Sequence, residues 1–257
     1  IKARMELLSQ PMFAATNVAG PCPHKPAIDR CKTCILDSSD YFSALNLGVK
    51  RALQEFLQFK SFDRRALLYR EGRSGENLFI LMSGEVKVYK SLSNGRQQIH
   101  KLAVIPGDLI ACEDIFLDKY SSSAEAISPV TVCYLPKAHL QSVISRHREV
   151  PDALMRSMAR NLNSYIRNIA NLGQKNALER VASYLLFLHE THHERNLRSE
   201  ELRESLTRTE LADMIGVTQR TLIRRLKKLE SDKVIALVKD GFRILDQKAL
   251  EYLSAGG

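Results

Sequence analysis

Five cysteines stand out in this sequence, and three of them, Cys22, Cys31 and Cys34, are crowded into one short stretch. Clustered thiols that do not form the even, spread framework of a small secreted domain point to metal binding or redox sensing in a reducing compartment. A second set of reactive side chains lies near the other end of the chain. Gln219, Arg220, Arg224, Lys227 and Lys228 recur at helical spacing between apolar residues. Arginine can donate two hydrogen bonds to guanine O6 and N7, and lysine suits phosphate oxygens, so this face has the chemistry of a major-groove reader. His189, His192 and His193 form a third group. No carboxylate or cysteine stands at ligand spacing beside them, so residues 191–202 read as a solvated, charged loop. There is no Gly-rich phosphate loop, nucleophile elbow or HExxH motif, which argues against an enzyme.

The basic face needs a scaffold, and LTRTELADMIGVTQRTLIRRLKKLE (206–230) supplies one. Thr207 is an N-cap with Glu210 three residues later as its capping-box partner, and Leu211, Met214 and Ile215 form the inward side of a first helix. Gly216 ends that helix and Val217 turns inward. Thr218 caps a second helix whose core stripe is Leu222, Leu226 and Leu229. The pattern predicts a helix-turn-helix in which Thr207, Thr218, Gln219, Arg220, Arg224, Lys227 and Lys228 face DNA, with Ile223 among the exposed positions. KVIALVKDGFRIL follows as two short strands around Asp240-Gly241, a β-wing. Between Gly216 and Leu245 eight Lys and Arg oppose three Asp and Glu, so part of the chain's formal charge of +9 is concentrated here. The segment lacks the interleaved exposed aromatics of a single-strand RNA surface.

The remaining elements differ in kind. Residues 1–40 hold Pro11, Pro21, Pro23 and Pro26 and read as an irregular arm. Residues 46–59 have helical spacing, with Val49, Leu53, Phe56 and Leu57 on one face. From about Lys60 to Pro136, short apolar runs alternate with turns at Gly72, Gly84, Gly95 and Gly107, a compact all-β unit in which Asn94-Gly95 is the clearest hairpin. From Pro151 to Gly173 an apolar stripe includes Leu154, Met155, Met158, Leu162, Tyr165, Ile166, Ile169 and Leu172, and residues 176–190 form a further amphipathic helix. That stripe suits a seam between two copies of the chain; packing on its own domain is the alternative. With no apolar run of membrane-spanning length and no secretory signal pattern, a cytoplasmic protein without a membrane partner is expected.

This order of parts resembles the Crp/Fnr family of bacterial transcription regulators over residues 45–253. The carriers are LLYREGRSGENLFILMSGEVKVYK, IPGDLIACEDIF, TVCYLP, KNALERVASYLLFL and the segment 206–230. The resemblance implies a homodimer on double-stranded DNA with two-fold-related half-sites, and RNA polymerase as a further partner. It also bears on the effector. Cyclic-nucleotide binders of the family place an arginine in the phosphate cassette, but Ser122 of CEDIFLDKYSSSAEA stands there, with Glu113 matching the ribose-binding acid. Loss of the bidentate guanidinium contact argues against a cyclic nucleotide. In the oxygen-sensing Fnr branch, an N-terminal cysteine group and one β-roll cysteine hold a [4Fe-4S] cluster. Cys133 of TVCYLP matches the latter, and Cys31 and Cys34 resemble part of the former, with Cys22 completing four and Cys112 as an alternative ligand. The spacing Cys22-x8-Cys31-x2-Cys34 differs from the branch pattern, so a zinc site, a thiol switch and structural cysteines stay open, as does control of a cluster-free member by a cyclic nucleotide or another small molecule. The family's usual Glu, Ser or Gly, and Arg on the base-reading face correspond here to Arg220, Ile223 and Arg224, which implies a different half-site.

The expected fold is α+β: a cysteine-bearing arm (1–44), a double-stranded β-helix, the cyclic-nucleotide-binding-like β-roll (45–148), a dimerisation helix (149–174) and a winged helix-turn-helix (175–257). The dimer seam is expected at Leu154, Met158, Leu162, Tyr165, Ile166 and Ile169.

Overall fold

The computed structural model describes residues 19–21, 35–93, 95–194 and 201–256. Cys22, Cys31, Cys34 and Asn94 lie outside the described residues. The chain divides into two compact units, Ile1–Val86 with Pro106–Arg160, and Lys87–Ile105 with Asn161–Gly257. In this grouping residues 87–105 go with the C-terminal part.

The first unit contains β1 (Ala19–Pro21), β2 (Gln58–Phe62), β4 (Asn77–Ser83), β7 (Leu109–Ile110) and β9 (Val130–Pro136), which form a sheet in the order β1-β2-β9-β4-β7. β3 (Leu67–Tyr69) pairs antiparallel with β8 (Ser123–Ala126). In β4, Leu78, Phe79, Ile80 and Leu81 are all buried, which means both faces of the strand are covered. This explains why NLFILM reads as a continuous apolar run rather than an alternating one. One face of the sheet packs with α1 (Ile35–Ser38), α2 (Leu47–Gln54), α3 (Lys137–Arg146) and the first turns of α4 (Glu149–Gln174). Their buried residues Leu36, Val49, Leu53, Leu140, Val150 and Leu154 share one core with Phe59, Ile80, Cys112 and Cys133.

The predicted helix over 46–59 is shorter than its periodicity. It is capped by the Asn46 side chain, which accepts from the Val49 amide at 3.0 Å, and it ends at Gln54. Phe56 follows in a turn, half-buried against the same core, and Leu57, Phe59 and Phe62 serve the turn and β2 instead. The turn glycines Gly72, Gly84, Gly95 and Gly107 all have positive φ, as turns of this kind require.

The second unit holds the hairpin of β5 (Val86–Ser91) and β6 (Gln97–Ala103), the distal part of α4, α5 (Ala177–Glu194), α6 (Arg208–Ile215), α7 (Gln219–Ser231) and α8 (Gln247–Ser254). A three-stranded wing runs in the order β10-β12-β11, from β10 (Glu201–Arg203), β11 (Ile235–Val238) and β12 (Gly241–Ile244). The charged loop expected at 191–202 is therefore corrected at both ends. α5 continues through Thr191, His192 and His193, with Thr191 and His192 buried, and residues 201–203 form a strand. A helical face can bury a histidine that composition alone assigns to solvent. Gly241 does not act as a left-handed turn residue. A Cβ there would lie 1.9 Å from the Leu202 carbonyl oxygen, so glycine is needed because β10 passes too close for any side chain.

Candidate DNA interface and sensor site

The helix-turn-helix is built from local rules. The Thr207 hydroxyl accepts from the Glu210 amide at 3.2 Å, and Glu210 Oε2 accepts from the Thr207 amide at 2.8 Å, closing the capping box of α6. Leu211, Ala212 and Ile215 are the buried residues of α6; Met214 is only half-buried, and Ala212 takes the inward place expected of it. Gly216 follows in the left-handed conformation with φ 74°, which is what calls for glycine; a Cβ on it would clash only with the movable end of the Leu172 side chain. The Thr218 hydroxyl accepts from the Thr221 amide at 3.2 Å and starts α7.

α7 buries Leu222, Leu226 and Leu229 and exposes Gln219, Arg220, Ile223, Arg224, Lys227 and Lys228. Arg220, Ile223, Arg224 and Lys227 follow one another at i, i+3, i+4 and i+7, which places them on one face of the helix. Lys228 Nζ is 2.9 Å from Asp232 Oδ2, so this ammonium is shared with its own helix. Thr207 and Thr218 are exposed but use their hydroxyls as caps, so what they offer a phosphate is chiefly the amide-rich start of a helix.

Glu210 has a second partner. Its Oε1 lies 2.6 Å from Lys87 Nζ on β5, with side-chain exposures of 12% and 2%. Burial by itself would raise the carboxyl pKa, but hydrogen bonds from Lys87 and from the amide and hydroxyl of Thr207 outweigh it and hold the group at about 2, below its ordinary 4.5. A depressed carboxylate pKa contributes stability that is complete above the ordinary value and is lost as pH falls through the folded one. The C-terminal unit is therefore expected to lose of the order of 2 kcal/mol between about pH 5 and pH 2, allowing for the solvent that still reaches the carboxylate. Glu210→Gln should flatten that part of an acid-unfolding curve, and a curve unchanged by the substitution would remove Glu210 from the acid response.

In the first unit, Ser122 is buried where the resemblance places a phosphate-binding arginine. Its hydroxyl hydrogen-bonds Tyr69, whose ring stacks on Tyr120 at 4.1 Å between centroids. Burial first, then the negative charges of Asp114 and Glu113, raise the Tyr69 phenol well above its usual pKa. Asp114 is itself buried, with Oδ1 accepting from the Ser121 amide at 3.0 Å. The neighbourhood of Ser122 thus carries carboxylates and hydroxyls where the resemblance places a guanidinium.

Cys133 sits in the middle strand of the five-stranded sheet, opposite Phe59 of β2 and Ile80 of β4, and Phe59 in turn pairs with Gly20 of β1. Its Sγ is 3.4 Å from Met82 Sδ, while Cys112 Sγ donates to the Leu154 carbonyl at 3.8 Å. Among the described residues no group of three or more His, Cys, Asp and Glu is arranged to hold a metal, and the other three cysteines fall outside them.

Residues 59–147 match the cyclic nucleotide-binding domain, and residues 179–253 match the Crp-like helix-turn-helix domain. The nitrogen fixation regulation protein FixK of Bradyrhizobium diazoefficiens is 27% identical over 225 residues, covering 88% of this chain and 94% of that protein. This chain belongs to the Crp/Fnr family. The anaerobic regulatory protein of Pasteurella multocida is 26% identical over 249 residues, covering 96% of this chain and 91% of that protein. The structure of FixK2 from Bradyrhizobium japonicum superposes with a TM-score of 0.69 at 25% identity, covering 77% of this chain and 98% of that one. These relatives are transcription regulators, not enzymes, and the helix-turn-helix of this Crp/Fnr regulator binds DNA. No helix among the described residues is long and apolar enough to cross a membrane.

All of α4 in this Crp/Fnr regulator lies between the two matched segments, and its apolar stripe divides into two edges. Leu154 is buried in the core of its own unit, so it cannot belong to a seam between copies, and Met158 packs half-buried against the same core. Tyr165 is also half-buried, its ring edge-on to His100 of β6 at 5.5 Å. The outward edge is Met155, Leu162, Ile166, Ile169 and Leu172, which are 56%, 59%, 54%, 69% and 40% exposed. With Ala159 and Gly173, both exposed, the positions 155, 159, 162, 166, 169 and 173 alternate steps of four and three, the repeat of a coiled-coil seam.

Proposed function

We propose that two copies of this regulator join along the outward edge of α4 and place their α7 helices in successive major grooves of a two-fold-related DNA site. The observation that carries this reading is the face Arg220, Ile223, Arg224 and Lys227 on a fully capped helix whose opposite side is buried. Arg224 reads a guanine edge, Ile223 offers an apolar contact to a thymine methyl, and Lys227 takes a phosphate. RNA polymerase is the partner through which occupancy of the site is read.

The signal in this proposal is redox or gas, received by a [4Fe-4S] cluster on Cys22, Cys31, Cys34 and Cys133. The fit is supported by backbone placement. Pro21 ends a strand two positions from β9 in the sheet, about 10 Å away, and Ile35 begins a helix buried in the same core as Cys133, so the two ends of the cysteine-bearing segment join the sheet and the core to which Cys133 belongs. Four thiolates would hold the cluster, whose loss or oxidation supplies the signal. The carboxylates Asp114 and Glu113 near buried Ser122 support a cyclic nucleotide not being the effector, because an anionic phosphate there meets like charge in place of a guanidinium.

The test starts from DNA sequences selected by the protein from a random pool. Arg224→Ala should lose about 1–3 kcal/mol at one base pair of the half-site and relax its specificity. Lys227→Ala should weaken all sequences alike and lower the salt slope by about one. Unchanged specificity in Arg224→Ala would remove that residue from base readout.

A further inference from the structure

Two acids on the first helix of the helix-turn-helix, Glu210 and Asp213, point toward the β5–β6 hairpin rather than solvent. Besides the Lys87–Glu210 pair, Arg96 donates from Nε and from its second terminal nitrogen to Asp213 Oδ1 at 3.2 and 2.8 Å, and Gln98 Nε2 donates to the Asp213 carbonyl at 3.2 Å. Lys87 Nζ also donates to Gln97 Oε1 at 3.0 Å and lies 5.1 Å from the Tyr89 ring centroid, so the ammonium is held from within the hairpin as well. The same hairpin grips α4. His100 meets Tyr165 edge-on, and its carbonyl accepts from Asn168 Nδ2 at 3.4 Å. One hairpin therefore touches both the helix that carries the exposed seam and the helix that packs on the recognition helix.

We infer that the β5–β6 hairpin is a strut that fixes the helix-turn-helix to α4 and so sets the separation of the two recognition helices in the dimer. The inference rests on the dimeric DNA-binding reading above. Lys87 suits the part: a nearly fully buried ammonium separated from its carboxylate is left as an uncompensated buried charge, so this end of the strut is rigid. Arg96 is 53% exposed and gives the outer, salt-sensitive contact.

A strut acts on geometry between two half-sites, not on reading one. The experiment compares binding of purified full-length protein to its selected two-fold site and to a single half-site in the same flanking sequence. Lys87→Met should weaken the two-fold site by about tenfold or more and leave the half-site within about twofold. Arg96→Glu and Asp213→Arg should each do the same more mildly, and the double charge exchange should recover most of the loss. Equal losses on both DNAs, a stability defect in place of a positioning one, would overturn the inference, as would unchanged binding to both. A wild-type protein that selects no sequence would bring down the functional reading itself, a separate result.

Discussion

Ile166→Glu is expected to leave the protein monomeric in sedimentation where the proposed seam makes the wild type a dimer, and to weaken the proposed two-fold DNA site by a factor of about 10² to 10⁴. Ile166 is 54% exposed in the isolated chain and has Leu162 and Ile169 as its neighbours along the outward edge of α4. In a two-stranded seam such a residue inserts between four side chains of the partner helix, and a carboxylate there would be buried without a partner. The second helix-turn-helix then no longer benefits from the high local concentration that the first one creates. The half-site affinity should survive, because α7 keeps its caps and its leucine core. Leu154→Ala is the contrasting substitution. It removes volume from a residue 1% exposed in its own core, so it should lower thermal stability by about 2–5 kcal/mol without first changing the oligomeric state. A dimer that persists in Ile166→Glu would show that copies meet somewhere other than this edge.

The contrast between Ile166 and Leu154 shows what the sequence can reveal. Apolar residues at steps of three and four mark a helix and its apolar side, but a stripe this wide has two edges, and only tertiary contacts decide which edge meets the protein's own core. Features set within one turn were fully legible. Thr207 with Glu210, Gly216 and Thr218 each obey a rule spanning at most four residues, and each takes the expected conformation. The end of α2 was less so, because Leu57 and Phe59 continue a helical period by coincidence while serving a turn and β2. Two kinds of feature had no local signal. Gly241 is needed for the approach of β10, and the pairs Lys87–Glu210 and Arg96–Asp213 join residues 123 and 117 positions apart.

Protein purified and handled without oxygen is expected to carry about four iron and four sulfide per chain, with visible absorbance that bleaches in air. Cys133→Ser should abolish most of that iron, whereas Cys112→Ser should retain it. The two thiols are equally suited to such a comparison, since both are buried in the same core and serine is close in size. Their surroundings differ. Cys112 donates to the Leu154 carbonyl of α4. Cys133 lies on the central strand, across β2 from β1, whose last residue Pro21 precedes Cys22 in the chain. Iron lost in Cys112→Ser and kept in Cys133→Ser would transfer the fourth ligand to Cys112. Zinc in place of iron would turn the site into a structural or thiol-switch centre. Absence of any metal from carefully protected protein would sink the cluster, yet it would leave the recognition face of α7 and the seam of α4 untouched, because neither depends on a cysteine.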